Sequence, residues 1–227
     1  MTGDSALAIC DGVSRVFGTG PGAIVAVHGT TCAIDPGAQV AVIGSSGSGK
    51  STLLHLLAGL ERPTVGSVTW PGLPPAPERA FQIGVVFQLP SLVPALTAEE
   101  NTALPLVLAG VSDRESRTRA AEALAAVGLD DLAGKLPEDL SGGQGQRVAV
   151  ARVLAQRPRL VLADEPTGQL DRATGHHLIE VLLATVTRIG AALVVSTHDS
   201  AVADRIDTHW YMFEGRLYTS TRERILS

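Results

Sequence analysis

The chain has 227 residues, of which 45% are hydrophobic, so it can form a substantial core, and we expect one main α/β domain. The formal net charge of −5 and the scattered Lys and Arg residues argue against a nucleic-acid partner. No apolar run approaches the roughly 18 residues that span a membrane, and the first residues lack a signal-peptide pattern. Work at a membrane would therefore require a second, spanning chain.

The first third predicts strands at residues 6–17, 23–34 and 39–44, separated by turns that contain Gly and Pro. Cys10 and Cys32 fall in these strands without metal-ligand spacing, and we expect them to be reduced core residues. Next we expect a helix at residues 50–58, whose inward side chains are Leu53, Leu54, Leu56 and Leu57. A short strand pair near residues 66–70, a Pro-rich loop and a buried strand at residues 83–88 are predicted to follow.

The middle of the chain, residues 97–127, has helical spacing of apolar residues and few strand formers. We interpret this change as a helical lobe, about residues 92–155, inserted into a single α/β domain that covers residues 1–227. Beyond the lobe, a strand ending near residue 164, a helix at residues 171–188, a strand at 191–199 and a closing strand pair at 208–220 are expected. Alternating strands and helices predict a mostly parallel core sheet, with functional sites at the carboxyl ends of its strands.

A glycine-rich loop at residues 44–51 reads GSSGSGKS and satisfies the pattern G-x-x-x-x-G-K-S between an apolar strand and a helix. Its backbone N–H groups and the helix N-terminus favour phosphate, Lys50 can reach the β and γ phosphates, and Ser51 can hold Mg²⁺. A plain Gly/Ser turn is disfavoured by this context. The predicted nucleotide-binding residues here are Gly44, Ser45, Ser46, Gly47, Ser48, Gly49, Lys50, Ser51 and Thr52.

Two acidic residues, Asp164 and Glu165, end the apolar strand that reads RLVLADEP. A buried strand that delivers Asp164 beside the phosphate loop suits a carboxylate that binds Mg²⁺, and Glu165 can polarise the attacking water. A pair of surface turn acids is the alternative, and the apolar run and the terminating Pro166 argue against it.

A second glycine loop, LSGGQ at residues 140–144, opens a helix with apolar Val148, Val150, Val153 and Leu154. Ser141, Gly142 and Gly143 therefore lie at a helix N-terminus and predict another anion site. On its own, this motif would be interpreted as an ordinary helix N-cap.

Taken in order, these motifs resemble those of the ATP-binding subunits of ATP-binding cassette (ABC) transporters, over nearly the whole chain. The resemblance implies a P-loop NTPase cassette fold with an antiparallel β lobe, and it identifies residues 44–51 as the Walker A loop, 160–165 as the Walker B strand and 140–144 as the family signature. It also implies roles for five further residues: Phe17 stacks on adenine, Gln88 of the Q-loop senses the γ-phosphate and metal, Gln144 belongs to the signature, Asp171 to the D-loop, and His198 is the switch histidine. Taken singly, Phe17 could be a core residue, Gln88 a strand-end residue, Asp171 a helix N-cap and His198 a surface histidine.

In this family two cassettes bind head to tail, and each ATP lies between Walker A of one chain and the signature of the other. The resemblance therefore implies a second copy or a close homologue as partner, ATP and Mg²⁺ as cofactors, and an integral membrane permease at the cytoplasmic face. The sequence looks most like cassettes of lipoprotein-release, macrolide- or peptide-export and cell-division complexes. We expect no C-terminal regulatory domain of the kind found on some importer cassettes, which favours an exporter-like or mechanically coupled complex over a sugar importer. A soluble cassette, as in iron–sulfur assembly, and a signalling complex that moves no substrate stay open as alternatives.

Three positions depart from the family pattern. Gly145 replaces a larger residue, Gln169 replaces a smaller D-loop residue, and the segment from Trp70 to Phe81 is short and rich in Pro. None of these departures removes a predicted catalytic group.

Overall fold

The computed structural model describes residues 6–219, and the sequence predictions for the two chain ends lie outside these described residues. The strands are β1 (Ala8–Phe17), β2 (Ile24–Ile34), β3 (Gln39–Ile43), β4 (Val65–Thr69), β5 (Ile83–Val86), β6 (Leu160–Asp164), β7 (Ala192–Thr197), β8 (Thr208–Phe213) and β9 (Arg216–Tyr218). The helices are α1 (Lys50–Ala58), α2 (Ala98–Leu108), α3 (Asp113–Ala126), α4 (Gly142–Gln156), α5 (Arg172–Ile189) and α6 (Ser200–Ala203). Most elements match the sequence prediction to within a few residues.

A six-stranded sheet with the order β5-β6-β7-β3-β8-β9 forms the centre of the protein. All of its neighbouring strands are parallel except β8 and β9, as the alternation of strands and helices predicted. Alternate residues of β6 enter different cores: Leu160 and Leu162 pack on the side of α1, and Val161 and Ala163 on the side of α4 and α5. Both faces are covered, which explains why the strands are almost continuously apolar.

The smaller sheet has the order β2-β1-β4 and is antiparallel. The predicted strand pair near residues 66–70 is wrong, because this segment contributes the single strand β4, which pairs with β1. Helix α1 lies between the two sheets and buries Leu53, Leu54, Leu56 and Leu57, as expected.

Cys10 and Cys32 face each other across β1 and β2, and both are buried free cysteines. The hydrogen bond with Cys10, followed by burial, raises the pKa of the Cys32 thiol. The pair therefore has the small-core-residue role that the sequence predicted.

Helices α2, α3 and α4 pack against one another beside the large sheet. A capping box between Thr97 and Glu100 starts α2, and the buried side chain of Asn101 binds backbone groups of Val93, Leu96 and Thr97. Within residues 6–219, every helix is too short or too polar to cross a membrane.

Candidate functional site

The carboxyl ends of four parallel strands bring the predicted site residues to one edge of the large sheet. Gly44 follows β3, Glu165 follows β6, His198 follows β7, and Gln88 lies two residues beyond β5. The registers pair Ile43 with Thr197, Asp164 with Ser196 and Val86 with Ala163, so these ends lie side by side. This is the position at which open α/β sheets bind ligands.

The loop at residues 44–51 is fixed by close backbone packing. A Cβ atom at Gly44 would overlap the carbonyl oxygen of Met212, and one at Gly49 would overlap that of Ala26. Gly49 also has a φ of +104°, a left-handed conformation that side chains rarely adopt. The Ser48 hydroxyl is buried and has no hydrogen-bond partner among the described residues. Glycine is therefore required at both positions by the protein's own backbone.

Lys50, Glu165 and His198 form one connected group. The buried Lys50 Nζ donates to the carbonyl oxygens of Gly44 and Ser45, at 2.9 and 3.0 Å, and lies 3.3 Å from Glu165 Oε1. The other carboxylate oxygen, Oε2, lies 3.1 Å from Nδ1 of the exposed His198 ring. The structure thus brings together the three residues that the sequence predicted to bind phosphate, to act as base and to be the switch histidine.

Glu165 adopts an unusual backbone conformation, with a φ of +44°. Its N–H donates to the carbonyl oxygen of Ser196 at 3.1 Å and contacts the Ser196 hydroxyl at 3.0 Å. A non-glycine residue in this region costs on the order of 1–3 kcal/mol, and such residues cluster at functional sites. The turn after β6 is therefore held in place by β7, and it directs the carboxylate toward Lys50 and His198.

Asp164 is buried, and its carboxylate accepts a hydrogen bond from the Ser196 hydroxyl. Ser51 is half-buried in the first turn of α1. Among residues 6–219 there is no cluster of three or more His, Cys, Asp or Glu side chains that could enclose a metal. One carboxylate and one hydroxyl are instead the kind of partial oxygen set to which Mg²⁺ adds substrate phosphates and water. The residues present therefore fit a Mg²⁺–nucleotide complex.

Gln88 and Phe17 lie further out. The sequence placed Gln88 inside a buried strand, but β5 ends at Val86 and Gln88 is exposed. Phe17 is 38% exposed at the end of β1, with the Arg15 guanidinium 4.4 Å from the centre of its ring. Both side chains are accessible to a ligand or partner.

The second glycine loop starts α4 and faces outward. Ser141 and Gln144 form a capping box, in which Ser141 N donates to Gln144 Oε1 at 2.8 Å and Gln144 N to Ser141 Oγ at 3.2 Å. Ser141 and Gly142 are exposed, and a Cβ atom at Gly143 would lie 2.9 Å from Leu170 Cδ2. The signature segment therefore contacts the D-loop of its own chain.

Asp171 caps helix α5, accepting bonds from Ala173 N, Thr174 N and the Thr174 hydroxyl. The Thr174 hydroxyl is the largest of the causes that hold the pKa of Asp171 below its usual value. Asp171 is thus a helix N-cap, as the alternative interpretation predicted. It also lies beside the second glycine loop.

Two contacts at this edge were missed by the sequence interpretation. Ser196 joins Asp164 to the turn at Glu165, and the buried Gln146 binds the carbonyl oxygen of Phe87. The only available signal for Ser196 was a polar residue near the end of an apolar strand. Gln146 carried no signal apart from its helical position.

Known proteins share this arrangement. The ABC transporter family profile matches residues 27–168. The chain belongs to the ABC transporter family. Lipoprotein-releasing system ATP-binding proteins LolD from the Paris and Lens strains of Legionella pneumophila are each 42% identical over 216 and 212 residues, covering 92% and 90% of this chain and 92% and 93% of theirs.

Solved ABC cassettes have the same fold. A dimeric post-hydrolysis structure of the cassette MJ0796 bound to ADP and Pi has a TM-score of 0.85 and 36% identity, covering 92% of this chain and 96% of that one. The cassette cbiO1 from Clostridium perfringens, part of the transporter complex cbiONQ, has a TM-score of 0.79 and 27% identity, covering 94% and 87%. These likenesses confirm the predicted fold class and family. The protein is an ATP-binding subunit of an ABC transporter and an ATPase.

Proposed function

We propose that the chain hydrolyses ATP as half of a head-to-tail dimer and thereby drives a membrane permease of the export type. The observation that carries the proposal is the outward-facing second glycine loop, because its exposed helix N-terminus can bind an anion that another chain holds. MJ0796, which is similar over most of its length, is described as a dimer.

In this proposal the first glycine loop holds the triphosphate of one ATP. Lys50 exchanges its contacts with Gly44, Ser45 and Glu165 for the β and γ phosphates, since an anion competes for the same ammonium group. Phe17 stacks on the adenine. Ser51, Asp164 and Gln88 would hold Mg²⁺, and the bound metal would supply charge neutralisation at the phosphate oxygens.

Glu165 acts as the general base. Once Lys50 turns to phosphate, Oε1 is free to accept a proton from the water whose oxygen attacks the γ-phosphorus, and ADP leaves. His198 Nδ1 lies 3.1 Å from Oε2, and a ring that carries protons on both nitrogens can hold the carboxylate through Nδ1 and donate to the γ-phosphate through Nε2. The two side chains thus act together on the water and on the group it attacks.

Ser141, Gly142, Gly143 and Gln144 complete the ATP site of the partner copy, and Asp171 lies at the same interface. The backbone N–H groups at the start of α4 then face the partner's γ-phosphate. Two copies that bind in this way form two equal sites.

The permease is proposed to dock on the outer surface of the helical lobe. Leu89 and Val93 are exposed on the loop after Gln88, and Val107 and Leu108 are exposed at the end of α2. Beside them lies a cleft of about 220 Å³, lined by residues that include Leu96, Leu104 and Val107. Exposed apolar surface of this kind marks protein interaction sites. The proposed location is the cytoplasmic face of a membrane, and the similarity to LolD makes lipoproteins the first substrate class to test.

The test uses a tagged Glu165→Gln variant, which is expected to keep ATP and to stay closed on its partners. Host membranes are solubilised with ATP and Mg²⁺, and the co-purifying proteins are identified, with tagged Lys50→Ala as the matched control that binds ATP poorly. A permease with few spanning helices and a large external domain, captured by Glu165→Gln more than by the control, supports the proposal. A many-helix permease would favour an importer, and capture of soluble proteins alone would overturn the membrane role.

A further inference from the structure

The loop that follows Gln88 is held against α4. Arg152 Nη1 donates to the carbonyl oxygen of Ser91 at 2.8 Å, and a Cβ atom at Gly145 would lie 3.4 Å from Pro90 Cγ. Gln146 Nε2 donates to the carbonyl oxygen of Phe87 at 3.0 Å. Helix α4 begins with the signature. It therefore also holds in place the segment that contains Gln88.

The Gln146 contact differs from the others in what it fixes. The carbonyl of Phe87 and the nitrogen of Gln88 belong to one planar peptide unit. A hydrogen bond to the Phe87 oxygen therefore fixes the orientation of the peptide plane that leads into Gln88. Gln88 itself is exposed and makes no side-chain hydrogen bond within residues 6–219. The Gln146 bond is thus a direct restraint on the direction of Gln88.

Packing alone does not explain why a glutamine occupies position 146. Gln146 is fully buried, and its Oε1 has no hydrogen-bond partner among the described residues. A buried acceptor without a partner destabilises a fold, whereas an apolar side chain of the same length would fill the space without that cost. The useful part of this side chain is therefore its donor, which reaches the Phe87 carbonyl.

We propose that Gln146 is a positioning residue for Gln88, and that through it the signature helix sets the geometry of the Mg²⁺ site in its own chain. This inference rests on the proposed role of Gln88. A shift of α4, whose N-terminus contacts the partner's ATP, then moves the Phe87–Gln88 peptide and so reaches the other ATP site of the dimer.

The test is Gln146→Met, which keeps the length of the side chain and removes the donor. Gln156→Met is the matched control, because Gln156 lies on the same helix and its Nε2 donates to the Phe81 carbonyl at 2.7 Å, before the other end of β5. For Gln146→Met we expect kcat to fall about tenfold or more, as for a misplaced catalytic group, while KM for ATP changes less than about twofold. The Mg²⁺ concentration for half-maximal activity should rise by about tenfold, as for loss of a group that orients a ligand. Gln156→Met should leave all three values unchanged.

Equal effects of the two variants on kcat and on thermal stability would overturn the inference, because Gln146 would then only attach α4 to the sheet. If Gln146→Met does not fold, Gln146→Leu replaces it, since leucine is apolar, is smaller than methionine and likewise cannot donate to Phe87. Gln88→Ala, measured in parallel, distinguishes a failure of the proposed role of Gln88 from a failure of the inference about Gln146. If it leaves kcat and the Mg²⁺ dependence intact, the proposed role of Gln88 fails; if it lowers kcat and Gln146→Met does not, only the present inference fails.

Discussion

The two glycine loops have similar composition and opposite surroundings. The loop at residues 44–51 is enclosed: backbone oxygens of Ala26 and Met212 leave no room for side chains at Gly49 and Gly44, and Lys50 is buried. The loop at residues 140–144 is open, with an exposed start and a capping box that lies entirely within the segment.

This difference separates the two ways of binding phosphate that we propose. The first loop is shaped by contacts within its own chain and would hold a nucleotide by itself. The second is an exposed helix N-terminus that would bind a nucleotide held by a partner chain. Mutations that affect the two loops should therefore have different consequences for folding, nucleotide binding and pairing.

The largest expected difference appears when a methyl group is added to each loop in turn. Gly49→Ala forces a left-handed residue against the Ala26 carbonyl, and strain and overlap together should lower the free energy of unfolding by about 3 kcal/mol or more. Gly142→Ala meets open space, with its nearest neighbour, Gln169 Oε1, 4.0 Å away, and should change stability little. Urea unfolding measures both, and equal losses would show that the loops do not differ in this way.

Glu165→Gln should slow hydrolysis by about 10²-fold or more, as for loss of a general base, while ATP binding and ATP-dependent pairing persist. This outcome would show that hydrolysis beside the first loop can be lost while pairing through the second loop is kept. Steady-state turnover and size-exclusion chromatography with ATP are the measurements. Glu180→Gln is the control, because Glu180 is an exposed residue of α5 paired with Arg205. A loss of turnover below threefold would contradict the role of Glu165.

A mixing experiment tests whether the two loops of one site come from different chains. Lys50→Ala removes the first loop's cation, and Gly142→Asp adds a negative charge to the second loop. Each variant alone should be nearly inactive. In a mixture, about half of the dimers contain both variants and have one intact site, so activity should exceed the sum of the separate proteins. If both loops of a site belonged to one chain, mixing would restore nothing.

The smallest effect is expected at Gly145. A Cβ atom there would make ordinary contacts with Pro90 and Leu92, so Gly145→Ala should stabilise the open loop's helix by up to about 1 kcal/mol. The melting temperature should rise by about 2–4 °C. Gly128→Ala is the control, because the φ of +66° at Gly128 makes a side chain unfavourable. A lower melting temperature for Gly145→Ala would mean that the Q-loop segment cannot accommodate the methyl group.

Local sequence patterns predicted much of the fold. They also predicted correctly that most of the site residues lie at the carboxyl ends of the parallel strands. The bounds of α1 were predicted well because the glycine motif marks its start and Gly59, with a φ of +74°, ends it. The strand at residues 65–69 was assigned the wrong partner because β1 lies more than fifty residues earlier, and nothing local records that pairing. Ser196 and Gln146 act 31 and 59 residues away from the groups they bind, so their roles depend on tertiary structure.

Gly143 and Leu170 are close enough that the signature and D-loop segments form one continuous surface. A chain therefore cannot present one segment to its partner without the other. In the proposed head-to-tail dimer, a chain that meets its partner's nucleotide with the signature therefore also places its own D-loop against that partner.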